Sequence, residues 1–188
     1  MTGGAGFIGS HLVEKLLQEG HDVVVLDNFS TGRRTNLQRD TDAHFALREG
    51  SVLDSNALRE AGAGVDFIFH LAAAVGVFNI VQKPIESMHT NILGTENVLE
   101  FARERNIPVL CTSSSEVYGK NTSDHLSEDD DRVLGSPAIA RWSYSEAKAI
   151  DEFMALAYFR EFALPTRVVR LFNTVGPGQL GSYGMVVP

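Results

Sequence analysis

Tyr144 and Lys148 are a candidate acid–base pair. They lie four residues apart in Ser143–Phe162, a segment whose pattern predicts a helix ended by Pro165, so their side chains share one helix face. A free phenol is a poor base at neutral pH, because its pKa is ~10. A lysine ammonium beside it favours the phenolate, which could then take a proton from a hydroxyl group. The spacing alone would also fit an ordinary exposed helix face.

A run of hydroxyl side chains adds to this chemistry. The apolar segment Val109–Ser113 predicts a buried strand, and it runs directly into Ser114, Ser115 and Glu116. The carboxyl ends of parallel strands are where α/β sheets bind ligands. Ser114 could therefore share a substrate proton with Tyr144. The alternative is a polar loop or a helix cap.

A glycine-rich turn opens the chain. Gly3, Gly6 and Gly9 have the spacing G-x-x-G-x-x-G in the stretch TGGAGFIG, and a helical pattern follows at once. In a dinucleotide site the first glycine allows the tight turn, the second lets the backbone approach the pyrophosphate, and the third lets the helix pack closely. The amides of Phe7 and Ile8 would face the phosphates at the positive end of that helix.

The strand His21–Asp27 ends in an acid near the offset expected for a ribose-binding residue. Asp27 favours NAD over NADP, because it would repel a 2′-phosphate. Arg33 and Arg34 follow closely, so NADP stays open as an alternative. A cationic nicotinamide ring would also favour a phenolate at Tyr144. Polar contacts with the adenosine end are expected from Asn28, Ser30, Thr31 and Gly32.

Apolar strands alternate with helical segments along the whole chain. The predicted strands are His21–Asp27, Val65–Ala74, Val109–Ser113 and Thr166–Phe172, with His44–Val52 as a weaker candidate. The predicted helices are Ser10–Gln18, Pro84–Asn106 with a kink near Gly94, and Ser143–Phe162; polar Asn121–Ala140 is predicted to be a loop. This alternation predicts an α/β fold, a Rossmann-type doubly wound parallel sheet formed by one domain over residues 1–188.

The two ends of the sequence do not complete this fold. The glycine turn needs a preceding strand, but it begins at Thr2, and a further segment begins at Tyr183 and Met185–Pro188. We therefore expect a fold truncated at both ends, without its first strand and without a C-terminal lobe for the substrate.

Composition excludes several classes of function. The net charge of −8 argues against a general nucleic-acid binder, which needs clustered Lys and Arg. The single cysteine, Cys111, excludes an internal disulfide and a multi-cysteine metal site, and we predict no metal. No segment reaches the ~18 apolar residues of a membrane span, and no signal peptide is evident. A cytoplasmic protein without a membrane partner is expected.

Taken together, the motifs resemble the extended short-chain dehydrogenase/reductase family, the NAD-dependent nucleotide-sugar epimerases, dehydratases and decarboxylases. The motifs occur in one order: TGGAGFIG, DN after the strand, HLAA at His70–Ala73, N-x-x-G-T at Asn91–Thr95, SSSEVYG at Ser113–Gly119, YSEAK at Tyr144–Lys148 and RLFN at Arg170–Asn173.

The resemblance implies a role for each matching position. Ser114 matches the catalytic Ser/Thr, Tyr144 the base, Lys148 its partner and Asn91 an anchor of the active-site helix. The implied cofactor contacts are Gly3, Gly6, Gly9, Asp27, Ser51, Val52, Leu71, Ala72 and Ala73, together with Tyr144 and Lys148. Ser51 stands where the family usually has an acid that contacts adenine.

The resemblance also implies partners. Asn173 matches a residue beside the diphosphate of a nucleotide sugar, most simply a UDP-sugar. Relatives usually form homodimers through the two long helices, here Pro84–Asn106 and Ser143–Phe162. His70 is interpreted as structural.

The sequence indicates the reaction less specifically than it indicates the family. Ser114-Ser115-Glu116 lacks the Asp of the Thr-Asp-Glu pattern of 4,6-dehydratases and looks like that of UDP-glucuronate decarboxylases. Arg141 could hold a uronic carboxylate, with Ser115 as a further substrate contact, and Ser143 stands where plain 4-epimerases usually have Pro. UDP-glucuronate decarboxylase is therefore favoured, with a UDP-sugar 4-epimerase as the alternative. Glu116 could also cap a loop, and Arg141 could pair with the acidic run Glu128–Asp131. A non-catalytic NAD-binding module is the alternative of another class.

Overall fold

The computed structural model describes residues 1–37 and 42–179, and within them five strands form a parallel sheet. The strands are β1 Val23–Asp27, β2 Phe45–Glu49, β3 Ile68–His70, β4 Val109–Ser114 and β5 Thr166–Leu171. β1 pairs with β2, and β4 pairs with both β3 and β5. All five predicted strands are therefore present, although β3 covers only three residues of Val65–Ala74.

Residues 1–3 join the two halves of the sheet. Thr2 forms parallel bridges to Leu26 of β1 and to His70 of β3. Its backbone N–H donates to the carbonyl of Phe69 at 2.9 Å, and the N–H of Gly3 donates to that of Leu26 at 3.0 Å. The sheet order is thus β2, β1, Thr2, β3, β4, β5. As predicted, no strand precedes α1 in the described residues, and Thr2 alone occupies the central position through these isolated bridges.

Six α-helices surround the sheet in the described ranges: α1 Phe7–Gln18, α2 Ser55–Ala61, α3 Val77–Gln82, α4 Pro84–Met88, α5 Gly94–Arg105 and α6 Trp142–Phe162. The sequence did not predict α2 or α3, because seven and six residues are too few for a helical period to stand out. The single helix predicted over Pro84–Asn106 is α4, a π-helical turn at His89–Leu93, and α5. That turn ends directly before Gly94, near the predicted kink.

Alternate residues of β1 enter two separate cores, as expected for a strand whose side chains point to opposite faces. Val23 and Val25 pack with Val13 of α1. Leu26 packs instead in a larger core with Leu58 of α2 and Leu99 of α5. Helices therefore cover both faces of the sheet, and the predicted doubly wound α/β fold is confirmed.

Residues 121–140 form no helix or strand, as predicted. Arg132 ties this loop to α6 through an ion pair with Glu146 at 3.1 Å. The predicted start of a C-terminal lobe at Tyr183 and Met185–Pro188 lies outside the described residues.

None of the helices in the described ranges is long and apolar enough to cross a membrane. The same residues contain no group of three or more His, Cys, Asp or Glu side chains placed to hold a metal ion.

Candidate active site

A cleft of about 640 Å³ opens at the carboxyl ends of the strands. It runs past the point where the chain order changes direction between β1 and β3, which is where doubly wound sheets bind ligands. The predicted site residues that line it are Gly3, Gly6, Phe7, Ile8, Gly9, Asp27, Asn28, Ser30, Thr31, Val52, Leu71, Ala72, Ala73, Ser114, Glu116, Arg141, Tyr144, Lys148 and Asn173. One cavity therefore brings together residues that are up to 170 positions apart in the sequence.

Four predicted site residues do not line this cleft: Gly32, Ser51, Asn91 and Ser115. A Cβ atom on Gly32 would lie 2.8 Å from the backbone of Ala5, so close packing against the glycine turn occupies its open side. The Ser51 hydroxyl accepts the N–H of Leu53 at 3.1 Å and shapes the turn after β2. Ser115 begins a 3₁₀ turn that ends at Tyr118.

Asn91 holds a backbone segment of the cleft wall. It is 1% exposed, its Oδ1 accepts the N–H of Ala74 at 2.7 Å, and its Nδ2 donates to the carbonyl of Ala74 at 3.2 Å. It belongs to the π-helical turn, a deformation that often occurs at functional sites. Both polar atoms of the Asn91 side chain thus bond to the backbone of Ala74, between two residues that line the cleft.

The three glycines of the opening turn have different environments. Gly3 has φ of +71°, and a Cβ there would lie 2.5 Å from the N of Ala72. A Cβ on Gly9 would overlap the carbonyl oxygen of Gly3. A Cβ on Gly6 would come no closer than 3.3 Å to any atom of the protein in the described ranges, so this position faces the open cleft. These differences match the three steric requirements of a dinucleotide turn.

Asp27 is fixed at the end of β1. It is 8% exposed; its Oδ2 accepts the N–H of Ala5 and its Oδ1 that of Phe29, both at 2.8 Å. The carboxylate thus links the glycine turn to the loop after β1. Arg34 is one of the two arginines that kept NADP as an alternative cofactor. It forms an ion pair with Glu49 at 2.8 Å, and its guanidinium lies 4.7 Å from the centre of the Phe29 ring.

Lys148 enters the cleft from a buried position on α6. Its Nζ donates to the carbonyl of Thr112 at 2.9 Å and to Oδ2 of Asp151 at 3.1 Å. Burial lowers the pKa of Lys148, but the neighbouring Asp151 carboxylate and, next, Tyr144 outweigh that effect and raise it above the ordinary value. Lys148 is therefore an ammonium group at neutral pH.

One hydrogen bond holds the turn after β4 against the start of α6, and a second one caps that turn. The Ser145 hydroxyl, adjacent to Tyr144, donates to the carbonyl of Glu116 at 2.7 Å. The Ser114 Oγ accepts the N–H of Glu116 at 3.2 Å and caps the 3₁₀ turn. Because that Oγ acts as an acceptor there, its own hydrogen is available for a group in the cleft.

Glu116 and Arg141 form an ion pair at 3.5 Å on the wall of the cleft. The Arg141 guanidinium also lies 5.1 Å from the centre of the Trp142 ring. Arg141 thus pairs with Glu116 rather than with the acidic run Glu128–Asp131, one of the alternatives considered from the sequence. Both side chains are about half exposed, so the pair is accessible to a ligand.

Several lining residues were not predicted from the sequence. Most of them lie at or after the carboxyl ends of β3, β4 and β5, where the only available signal was the predicted end of each strand. They are Leu26, Asn36, Gly50, Val75, Gly76, Ile80, Thr90, Thr112, Ser113, Leu171, Phe172, Thr174, Val175 and Gln179.

The residues of the cleft fit a dinucleotide. The glycine turn leaves one side of Gly6 open to the cleft, where a pyrophosphate would approach, and Phe7 and Ile8 begin α1 beside it. Asp27 ends β1 beside this turn, and Lys148 and Tyr144 line the same cleft from α6. The mixture of backbone amides, acidic side chains and an ammonium group suits a ligand with phosphates and sugar hydroxyls.

Comparison with known proteins agrees with this geometry. UDP-N-acetyl-alpha-D-glucosaminuronate decarboxylase of Bacillus cytotoxicus is 42% identical over 100% of this chain and 58% of its own length. UDP-glucuronic acid decarboxylase 1 of Xenopus tropicalis is 37% identical over 100% of this chain and 43% of its own length. The chain therefore spans about half the length of these curated relatives.

A solved structure is similar over most of the chain. UDP-glucose 4-epimerase of Thermotoga maritima, with UDP-glucose, matches with a TM-score of 0.83 and 32% identity, covering 94% of this chain and 55% of that one. A model of the NAD dependent epimerase/dehydratase family matches residues 1–188. The chain accordingly belongs to the NAD dependent epimerase/dehydratase family, which confirms the predicted resemblance and agrees with the predicted cofactor, NAD.

Proposed function

We propose that the full-length protein acts on a nucleotide sugar, oxidises it at C4 and then reduces it again, and that it is a UDP-glucuronate decarboxylase. The observation that supports this proposal best is the shared cleft of Ser114, Tyr144 and Lys148 with the Glu116–Arg141 ion pair. The first three suit oxidation of a hydroxyl group, and the ion pair suits a substrate that carries a carboxylate. The decarboxylase names of the similar proteins favour the same reaction.

The oxidation step depends on a proton acceptor. Bound NAD supplies the two-electron redox chemistry. Tyr144, as phenolate, takes the proton of the 4-hydroxyl, with the Ser114 hydroxyl as a relay. Lys148 stabilises the phenolate by its charge and would bind the nicotinamide ribose. In the reverse step Tyr144 returns the proton to the C4 oxygen, so the sugar undergoes no net oxidation at C4.

The carboxylate is lost between these two steps. With a ketone at C4, the bond from C5 to the carboxylate breaks and carbon dioxide leaves. The electron pair of the broken bond enters the C4–C5 enolate. A proton from the solvent then returns to C5, and Glu116 is the candidate group that would relay it. Arg141 would bind the carboxylate before it leaves, as a planar guanidinium can with two hydrogen bonds.

Replacing Arg141 with Met tests the carboxylate contact. We expect Arg141→Met to raise the KM for UDP-glucuronate about tenfold or more, because a charge-assisted hydrogen bond is lost. Steady-state kinetics on the full-length protein measures this. Arg59→Met is the matched control, since Arg59 pairs with Glu104 on the surface at 3.4 Å and does not line the cleft. Equal KM values for Arg141→Met and the unmodified protein would remove Arg141 from the substrate site.

Product mass tests the reaction itself. The full-length protein is incubated with NAD and UDP-glucuronate, and loss of one carbon dioxide identifies a decarboxylase. No loss of mass, with a new isomer on chromatography, would identify a 4-epimerase, the second candidate; the similarity to the Thermotoga maritima UDP-glucose 4-epimerase favours it. Retained NAD without turnover of UDP-glucuronate or of neutral UDP- and dTDP-hexoses would indicate a non-catalytic NAD-binding module.

We further propose a homodimer through α6 and the α4–α5 stretch. Large apolar side chains are exposed along α6, with Phe153 at 66% and Phe159 at 52%, and Ile85 of α4 is 66% exposed. A second copy would cover this surface. The cleft supports a nucleotide sugar as the small-molecule partner, and this apolar surface supports a second copy of the chain as the protein partner.

Phe153→Glu should convert the dimer to a monomer, because it introduces a charge into the apolar contact. Light scattering on the full-length protein measures the mass. Ile139→Glu is the control, since Ile139 is 53% exposed but lies in the loop of residues 121–140. An unchanged mass for Phe153→Glu, or a monomeric unmodified protein, would contradict an interface on α6.

A further inference from the structure

A buried series of polar side chains leads from the central position of the sheet toward the cleft lysine. Thr2 Oγ1 and His70 Nδ1 are 2.7 Å apart, and His70 Nε2 and Thr95 Oγ1 are 3.0 Å apart. Thr2, His70 and Thr95 are each at most 5% exposed. The Thr2 Oγ1 also accepts the N–H of Ala72, on the cleft wall, at 3.3 Å.

Asp151 is the next polar group beyond Thr95. Burial raises the pKa of the Asp151 carboxyl, whereas the charge and hydrogen bond of Lys148 and, after them, the nearby Thr95 hydroxyl favour its charged form. Oδ2 of Asp151 is 3.1 Å from Nζ of Lys148, and the two side chains are only 4% and 3% exposed. Two opposite charges one helical turn apart are therefore removed from water together, on the same face of α6 as Tyr144.

The other titratable groups around Lys148 do not supply this negative charge. Burial, and then the charge of Lys148, lower the pKa of His70 to about 3, so His70 is neutral at pH 7. Burial raises the pKa of Cys111 to about 12, so its thiol is neutral as well. Apart from Tyr144 itself, Asp151 is the anion that favours the ammonium form of Lys148 among the described residues whose charges act on it.

A buried lysine without such a partner loses its proton more readily, because the charged form is poorly solvated. We propose that Asp151 is a positioning residue that keeps Lys148 charged and directed at Tyr144 through their buried ion pair. This inference rests on the proposed role of Tyr144 as the base, and it is independent of which sugar is the substrate. Asp151 itself does not line the cleft and so acts through Lys148.

The test follows phenolate formation by ultraviolet absorbance as a function of pH, with and without NAD. For each protein, the contribution of Tyr144 is the difference between its absorbance and the absorbance of the same protein with Tyr144→Phe added. For Asp151→Asn in the full-length protein, we expect the midpoint to rise by about one pH unit or more, a tenfold loss of phenolate at a given pH. Loss of the Lys148 charge raises the midpoint, and loss of the Asp151 charge lowers it. We expect the first effect to be larger, because Asp151 is seven positions from Tyr144 along α6 and Lys148 only four.

Glu152→Gln is the matched control. It makes the same change from carboxylate to amide one residue later, but Glu152 pairs with Arg170 at 2.8 Å rather than with Lys148. We expect its midpoint to equal that of the unmodified protein. Thr95→Val removes the hydroxyl that lies beside Asp151 and bonds to His70. We expect it to shift the midpoint upward by less than Asp151→Asn does. This second variant keeps the test decisive if Asp151→Asn does not fold.

The outcomes separate the two proposals. A Tyr144-dependent transition that stays in place, or moves to lower pH, in the folded Asp151 and Thr95 variants would overturn the role of Asp151 alone. A midpoint that moves equally in Glu152→Gln would also overturn it, because the effect would then not depend on the ion pair. If the Tyr144-dependent transition of the unmodified protein lies at ~10 or above even with NAD, as for a free phenol, the proposed base is wrong and the role of Asp151 falls with it.

Discussion

Tyr144→Phe should lower the turnover of the full-length protein by about 100-fold or more, because it removes the group that takes and returns the hydroxyl proton. The affinity for NAD should stay within a few-fold, since the glycine turn and Asp27 remain. Turnover is measured with saturating NAD and substrate, and affinity by titration of the protein with NAD. Binding and chemistry are thereby measured separately.

Tyr158→Phe is the control for this change. Tyr158 also lies on α6, but its hydroxyl donates to Glu100 at 3.2 Å and it does not line the cleft. We expect turnover close to that of the unmodified protein. Near-normal turnover in Tyr144→Phe would contradict the role of Tyr144 as the base.

Gly9→Ala should abolish NAD binding and lower the free energy of unfolding by about 3 kcal/mol or more, a large overpacking penalty. The added Cβ would overlap the carbonyl oxygen of Gly3 and lie 2.8 Å from Cα of Gly4. Both are backbone atoms, so the turn and α1 must separate to make room. Thermal or denaturant unfolding and NAD titration measure the two effects.

Gly6→Ala is the informative comparison, because the nearest atom to its Cβ would be 3.3 Å away and its φ of −71° suits alanine. We expect a change in the free energy of unfolding of about 1 kcal/mol or less, as for a weakened helix cap, but a loss of NAD affinity of about tenfold or more. If Gly6→Ala kept its NAD affinity, or if Gly9→Ala unfolded like the unmodified protein, this division of roles would be wrong.

The sequence predicted the fold well where local signals were strong. β1 and β4 are apolar runs that enter a buried parallel sheet, and the glycine spacing predicted a tight turn at Gly3. The order of motifs predicted the family, and the match over residues 1–188 confirmed it. These features depend on residues that are close together in the chain.

The sequence predicted less where distant segments meet. The ion pair of Asp151 with Lys148 is visible as an i, i+3 spacing, but its burial depends on the strands behind α6. The contact of Asn91 with Ala74 depends on the π-helical turn, which has no clear sequence pattern. The capping side chain of Asp54 was the one local signal for α2, where it accepts the N–H groups of Asn56 and Ala57.

The central claim is that the hydrogen at C4 of the sugar leaves and returns within one turnover. It is tested most directly with UDP-glucuronate that carries deuterium at C4, the full-length protein and unlabelled NAD. We expect the product to keep the deuterium at C4 and no free NADH to accumulate. A product with hydrogen from water at C4, or NADH formed in proportion to product, would contradict it.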